Sequence, residues 1–156
     1  MKQKHLEAFM KSAEAFAECS TARRLQVGAV VVKDNRIISI GYNGTPSGWD
    51  NNCEDEMTEF QTFRTPAGET EMKLVITGEL RTKPEVLHAE TNAIAKLAQY
   101  NGSGDGAVLF VTHSPCGDCA KLVLQSGISS VYYRHNYRDS TGVDFLTKAG
   151  VKVEQI

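Results

Sequence analysis

The sequence predicts a three-layer α/β/α sandwich on a mixed sheet of about five strands, and three observations carry that expectation. Leu6, Phe9, Met10, Ala13, Phe16 and Ala17 recur at three- and four-residue spacing, which makes one apolar stripe of an amphipathic helix. Two strand-like runs, Val27 to Lys33 and Arg36 to Tyr42, meet at Asp34-Asn35, a pair tolerant of positive φ and suited to a tight hairpin. From Ala107 onward strand, helix, strand, helix and strand alternate, which implies parallel neighbours joined by right-handed crossovers.

In order, the N-terminal stripe fades near Cys19-Ser20-Thr21, and the hairpin strands follow. The stretch from Gly41 to Gly48 is rich in turn residues; it reads as a turn cluster or as a ligand loop, with Asn43 at a strand end able to hydrogen-bond a sugar hydroxyl. Trp49 to Val86 is polar and weakly patterned, so it is expected to be the most irregular part, with Leu74 to Thr77 a short strand or a piece of an inserted flap. Leu87 to about Gln99 makes a helix stopped by Asn101-Gly102-Ser103-Gly104, and Glu90, Ile94 and Leu97 share its apolar stripe. Ala107 to Thr112 is a continuous apolar run, suited to a strand buried on both faces. Cys116 to Ser126 is the next helix, with Leu122 and Val123 expected to face inward and Gly127 at its end. Val131 to Arg134, Thr141 to Ala149 and Val151 to Glu154 complete the alternation. With no repeat, low-complexity tract or linker, residues 1–156 read as one domain.

Composition narrows the function classes. Hydrophobic residues make up 41% and charged residues 23%, ordinary for a globular protein. No apolar run reaches membrane-spanning length and the first residues lead into no signal-peptide core, so a cytoplasmic protein with no membrane partner is expected. Four cysteines in such a chain favour metal ligation or free thiols over disulfides. A net charge of −2 argues against a nucleic-acid partner and leaves an anionic substrate to local basic groups such as Arg23, Arg24, Arg134 and Arg138.

The chemistry gathers in two short stretches. Ser114-Pro115-Cys116-Gly117-Asp118-Cys119 places two thiols at i and i+3 behind a proline, the pattern of a helix start, where the dipole favours thiolates. His88, 28 residues before Cys116, can add a neutral imidazole. Two sulfurs and one nitrogen suit tetrahedral zinc and leave a fourth position open for water, the mark of a catalytic site. Glu90 is the natural base for that water. A carboxylate on a buried stripe is costly unless it is put to use. A lone C-x-x-C also occurs in redox motifs and structural zinc sites. The conjunction of both stretches favours catalysis over a non-catalytic zinc-stabilised interaction module.

H-x-E followed by P-C-x-x-C is the known signature of the zinc nucleobase deaminases. From about Ser12 to the C-terminus the sequence resembles the deoxycytidylate (dCMP) deaminases, particularly the phage type. The resemblance rests on that motif together with Val27-Gly28-Ala29-Val30, Gly41-Tyr42-Asn43-Gly44, His88-Ala89-Glu90-Thr91-Asn92-Ala93-Ile94 and Cys116-Gly117-Asp118-Cys119-Ala120-Lys121. Val111-Thr112-His113-Ser114 and Gln125-Ser126-Gly127-Ile128 extend it.

The resemblance implies a cytidine deaminase-like fold and hydrolysis of dCMP to dUMP, the thymidylate precursor, with deamination of dCTP as well the alternative. It implies one catalytic Zn2+ per chain, and a homohexamer activated by dCTP and inhibited by dTTP, with Mg2+ carried on the triphosphate. By the same carry-over, Asn43 binds deoxyribose and the Ala89 N–H meets the base carbonyl. Thr112, Ser114 and Pro115 line the base, the Ser114 carbonyl accepts from the leaving amine, and Tyr137 closes over the ring. Gly41, Tyr42 and Gly44 belong to the effector site near a subunit interface. Some phage relatives hold a second, structural zinc, to which Cys19 and Cys53 correspond; here Val86 stands where an acidic ligand is expected, and two reduced thiols are the alternative. A phage-encoded enzyme of this kind would work in the host cytoplasm.

Overall fold

The computed structural model describes residues 1–156. Its elements are α1 (Gln3–Ala17), β1 (Gly28–Lys33), β2 (Arg36–Tyr42), β3 (Glu54–Arg64), β4 (Thr70–Thr82), α2 (Ala89–Gln99), β5 (Val108–His113), α3 (Gly117–Gln125), β6 (Ser130–His135), α4 (Thr141–Lys148) and β7 (Lys152–Gln155). Five strands form one sheet in the order β2-β1-β5-β6-β7. β1 runs antiparallel to both β2 and β5, while β5, β6 and β7 are mutually parallel. Asp34 and Asn35, at φ 51° and 58°, make the tight β1–β2 turn expected of them.

Alternation along the strands sorts the core into two layers. Val30, Val32, Phe110 and Tyr132 face α1 and meet Leu6, Met10 and Ala13. Ala29, Val31, Leu109, Val111, Val131 and Tyr133 face the other way, beneath Ala89, Ala93 and Leu97 of α2, Ala120 and Val123 of α3, and Leu146 of α4. α1 therefore covers one face of the sheet alone, and α2, α3 and α4 cover the other. Phe110 anchors the α1 layer, its ring 5.3 Å from Tyr132 and 5.5 Å from Phe9. Arg134 on β6 ties the layer at its edge, bonding Glu7 at 3.0 Å and Glu14 at 2.8 Å on α1.

Two expectations are corrected. The stretch from Trp49 to Val86 is not mostly irregular: β3 and β4 are the two longest strands, paired antiparallel as a separate ribbon. The ribbon lies outside the core, so burial never imposed the apolar–polar contrast by which strands are recognised. Its tip closes through Thr65 to Glu69, with Gly68 at φ 86°. Leu122 does not face inward; it is 43% exposed, because Val123 and Cys119 take the buried side of α3.

Phe110→Ala is expected to lose about 3–5 kcal/mol through the cavity it leaves between Phe9 and Tyr132. Thermal melting should then fall by about 6–20 °C, since each kcal/mol moves a domain of this size by about 2–4 °C.

Candidate active site

Two helices begin at one place. His88 is the N-cap of α2 and Cys116 the N-cap of α3, with Cys119 in the first turn. β5 ends at His113 beside His135 of β6, so Ser114 and the cysteine turn leave the sheet at the carboxyl ends of parallel strands, where open α/β sheets bind ligands. α4 seals the turn from outside: at Gly142 any Cβ would come 2.0 Å from the Pro115 carbonyl oxygen. α2 is fixed to the hairpin by Asn92 Nδ2, which donates to the Tyr42 carbonyl at 2.9 Å, and by Ser39 Oγ, which donates to the Ala93 carbonyl at 2.7 Å.

The result is a compact donor set. His88 Nδ1 lies 3.6 Å from Cys116 Sγ and 3.3 Å from Cys119 Sγ. The three donor atoms fall within 4.8 Å of one another, and this is the one cluster of three or more such residues in the chain. Tetrahedral zinc, with bonds of about 2.3 Å to sulfur and about 2.0 Å to nitrogen, sets N···S separations near 3.5 Å. The residues fit the metal, and three protein ligands leave one position open.

The electrostatics agree. Hydrogen bonds from Cys119 and His88 pull the Cys116 thiol down to about 4, and the same pairing, with burial, pushes Cys119 up. The bond to Cys116 raises His88 above the ordinary histidine range. Glu90 is 4% exposed, and burial raises its carboxyl above the usual value. His113 is pushed down, by burial first and then by His135.

The donors open onto a cavity of about 420 Å³, a size common for small-molecule sites. Asn43, Ala89, Glu90, Ser114 and Tyr137, all expected from the sequence, line it beside His88 and Cys116. Asn43 is also structural, since its Oδ1 accepts the Val27 N–H and its Nδ2 donates to the Leu25 carbonyl, both at 2.8 Å. Ser114 Oγ accepts the Tyr137 N–H at 2.8 Å and so sets the loop after β6.

The remaining expected site residues lie away from this cavity. Thr112 Oγ1 accepts the Gly28 N–H at 3.2 Å, and the Pro115 carbonyl oxygen lies against Gly142; neither residue is among those that line the cavity. Gly41 is a packing residue, because a Cβ there would meet the Ala89 carbonyl oxygen at 2.1 Å. Tyr42 and Gly44 line a separate hollow of about 560 Å³ with Cys19, Asn92 and Lys96. Cys19 is exposed, whereas Cys53 is buried against Ala22 and Val86 with its Sγ 3.5 Å from Thr21 Oγ1. Val86, at the position where an acidic ligand is expected, belongs to this cluster. Arg134 is committed to α1, but Arg24 and Arg138 reach the cavity.

Sequence reasoning missed Glu54. It is 1% exposed, forms part of the cavity wall, and takes the Arg23 N–H at 3.0 Å and the Arg24 N–H at 3.2 Å. Arg24 Nη1 then donates to Thr82 Oγ1 at 2.9 Å, which clamps the arginine segment to the ribbon root. The only signal was one more glutamate in an acidic run, Glu54-Asp55-Glu56.

Glu54→Ala strands two backbone N–H donors and is expected to lose about 2–3 kcal/mol. Glu54→Gln, which keeps an acceptor oxygen, should lose less; melting curves of the two variants check the order. Zinc binding should weaken as pH falls, because His88 and Cys119 both hold protons more firmly than usual and must release them to ligate. Zinc retained against a fixed chelator concentration is expected to drop between about pH 8 and about pH 6.

Comparison with known proteins agrees with this geometry. Residues 3–135 match the family described as the cytidine and deoxycytidylate deaminase zinc-binding region. The deoxycytidylate deaminase of Enterobacteria phage T4 is 36% identical, over 82% of this chain and 77% of the phage protein. ComE operon protein 2 of Bacillus subtilis (strain 168) is also 36% identical, over 95% of this chain and 69% of that protein. The crystal structure of dCMP deaminase from the cyanophage S-TIM5, in complex with dCMP and dUMP, superposes with a TM-score of 0.82 at 43% identity, covering 100% of this chain and 99% of that one. Fold, donor set and sequence agree, and the chain belongs to the cytidine and deoxycytidylate deaminase family.

Proposed function

We propose that this protein is a hydrolase acting on the cyclic amidine of dCMP, replacing its 4-amino group with oxygen to leave dUMP. The observation that carries the reading is Glu90, a buried carboxylate two residues past the ligand histidine, facing the cavity into which His88 and Cys116 open. The choice of dCMP is supported by the cyanophage enzyme crystallised with dCMP and dUMP.

His88, Cys116 and Cys119 would hold the zinc, which when bound would lower the pKa of a water in its open position to about 7. Glu90 takes a proton from the attacking water and delivers it to ring N3, which leaves C4 open to addition. The water oxygen adds to C4; the carboxylate then takes the second proton from the hydroxyl so formed and passes it to the exocyclic nitrogen, the C4–N bond breaks as the C4 oxygen becomes the carbonyl, and ammonia departs. Burial suits Glu90 to this work: a carboxyl raised above its usual range holds the proton between the two transfers. The Ala89 N–H, in the unpaired first turn of α2, meets the base carbonyl. The Ser114 carbonyl receives the leaving amine, Tyr137 closes over the ring, and Asn43 stands on the deoxyribose side. Arg24 and Arg138 are the cations available to the 5′-phosphate, and Arg24 is held in place from Glu54 and Thr82.

The finer reading is a single domain, 1–156, assembled as a homohexamer in the cytoplasm, in the host's if phage-encoded. It is activated by dCTP and inhibited by dTTP, with Mg2+ carried on the triphosphate. The hollow beside Tyr42 and Gly44, with Lys96 on its wall, supports an effector site there. No helix is long and apolar enough to cross a membrane.

The test assays dCMP, dCTP, CMP and deoxycytidine, each with and without dCTP or dTTP as effector. Preference for dCMP, with sigmoidal kinetics that dCTP makes hyperbolic, is expected; equal turnover of dCTP marks the bifunctional alternative. Glu90→Gln is expected to keep its zinc and fold while turnover falls by about 10²-fold or more, because glutamine hydrogen-bonds but carries no proton. Normal turnover in zinc-loaded Glu90→Gln would refute the mechanism.

A further inference from the structure

Two histidines outside the catalytic donor set stand side by side at the carboxyl edge of the sheet. His113 ends β5 and His135 ends β6, and the two are partners in the parallel register. Alternation puts His113 on the side of Leu109 and Val111, and His135 on the side of Val131 and Tyr133. Both therefore leave the sheet on the face covered by α2, α3 and α4. Their rings lie 5.2 Å apart at an interplanar angle of 42°. His113 forms part of the cavity wall with His88, Cys116 and Glu90, whereas His135 is exposed to solvent. Deamination by Glu90 and the zinc ligands uses neither.

The separation suits a chelate. Two imidazoles on one tetrahedral metal, each bonded at about 2.0–2.1 Å, set their ring centres about 5 Å apart. His113 is also oriented: its Nδ1 lies 3.2 Å from Thr112 Oγ1, which accepts the Gly28 N–H from the other side. With Nδ1–H donated to that oxygen, Nε2 keeps its lone pair, which is how an outer partner prepares a ligating histidine. The other use of such a pair is as two cations for a phosphate. Burial first, and then the neighbouring His135, hold His113 below the ordinary histidine range, so it is a neutral donor and a poor cation. Neutral imidazole suits zinc, nickel and copper, and leaves magnesium and calcium to oxygen ligands.

We propose that His113 and His135 together bind a second divalent transition-metal ion, zinc or a neighbour of it in the series, at the edge of the cavity, and that the ion held there obstructs the entry of substrate. Two nitrogens without thiolates make this a weaker and more readily reversed site than that of His88, Cys116 and Cys119. The obstruction rests on the deamination reading; the metal site itself does not.

The probe is Ni2+, which elemental analysis tells apart from zinc, added to the full-length, zinc-loaded chain. The thiolates of the first centre select zinc, so its content is expected to stay constant. Equilibrium dialysis from about 1 to about 100 µM free nickel is expected to show one nickel bound per chain. His135→Ala, at an exposed strand end, should weaken that binding about tenfold or more, since losing even an outer partner of a metal site costs as much. Its melting curve, and its turnover in nickel-free buffer, should be those of the wild type. His113→Ala should weaken nickel binding equally. Ni2+ is expected to bind more tightly than Co2+, and Co2+ more tightly than Mn2+, with Mg2+ inert. At constant free nickel the KM for dCMP should rise with kcat unchanged, and His135→Ala should abolish the rise. No nickel bound in this range, nickel taken up only in exchange for zinc, or equal binding by the wild type and His135→Ala overturns the proposal. Nickel held through both histidines with an unaltered KM overturns the obstruction and upholds the metal site. Nickel so held by a chain that deaminates nothing refutes the deamination reading and again upholds the site.

Discussion

The constraint on which the rest depends is that two helices, far apart in sequence, must begin within a few ångströms of each other. Only there do His88, Cys116 and Cys119 face one point, with two positive dipole ends to temper their charge. Much of the surrounding structure serves this convergence. Gly41 lets β2 press against the backbone of α2, and Gly142 lets α4 press against the cysteine turn. Asn92 and Ser39 lock α2 to the hairpin with hydrogen bonds rather than with apolar contact alone. Hydrogen bonds have a direction that oil-like packing lacks, and donor placement to a fraction of an ångström needs direction.

Two buried glutamates show how one residue type is put to opposite uses. Glu54 is enclosed but answered by the N–H groups of Arg23 and Arg24, so its charge is absorbed into loop structure. Glu90 is enclosed at the mouth of a thiol–imidazole cluster, and desolvation raises its affinity for a proton. The first builds a wall; the second is left chemically available. Burial alone distinguishes neither, since both are almost fully covered. What separates them is that two loop amides meet Glu54, whereas at Glu90 desolvation outweighs every favourable contact.

The ribbon is the part of the molecule least bound to the rest, yet its root, through Glu54 and Thr82, is part of the cavity wall. Arg24 is held from that root, so a segment outside the core also steadies a cation at the site. Mechanical continuity of this kind runs through a few hydrogen bonds rather than through a shared core.

The sequence by itself determined the sandwich and the donor set. Periodicity in α1 and alternation from Ala107 onward are imposed by burial, and burial leaves a readable pattern. His88, Glu90, Cys116 and Cys119 were legible because ligands carried by helix starts must keep short local spacings. The ribbon, the commitment of Arg134 to α1, the packing role of Gly41 and the withdrawal of Thr112 and Pro115 from the cavity were decided only in three dimensions. Each depends on which distant group arrives opposite, and no local spacing encodes that. Leu122 was misjudged for a related reason: on a nine-residue helix the buried side is chosen by what α4 and the sheet already occupy. Glu54 was illegible for the same cause, because the amides that hold it come from a loop some thirty residues earlier, and a buried carboxylate looks like any other until its donors are in place.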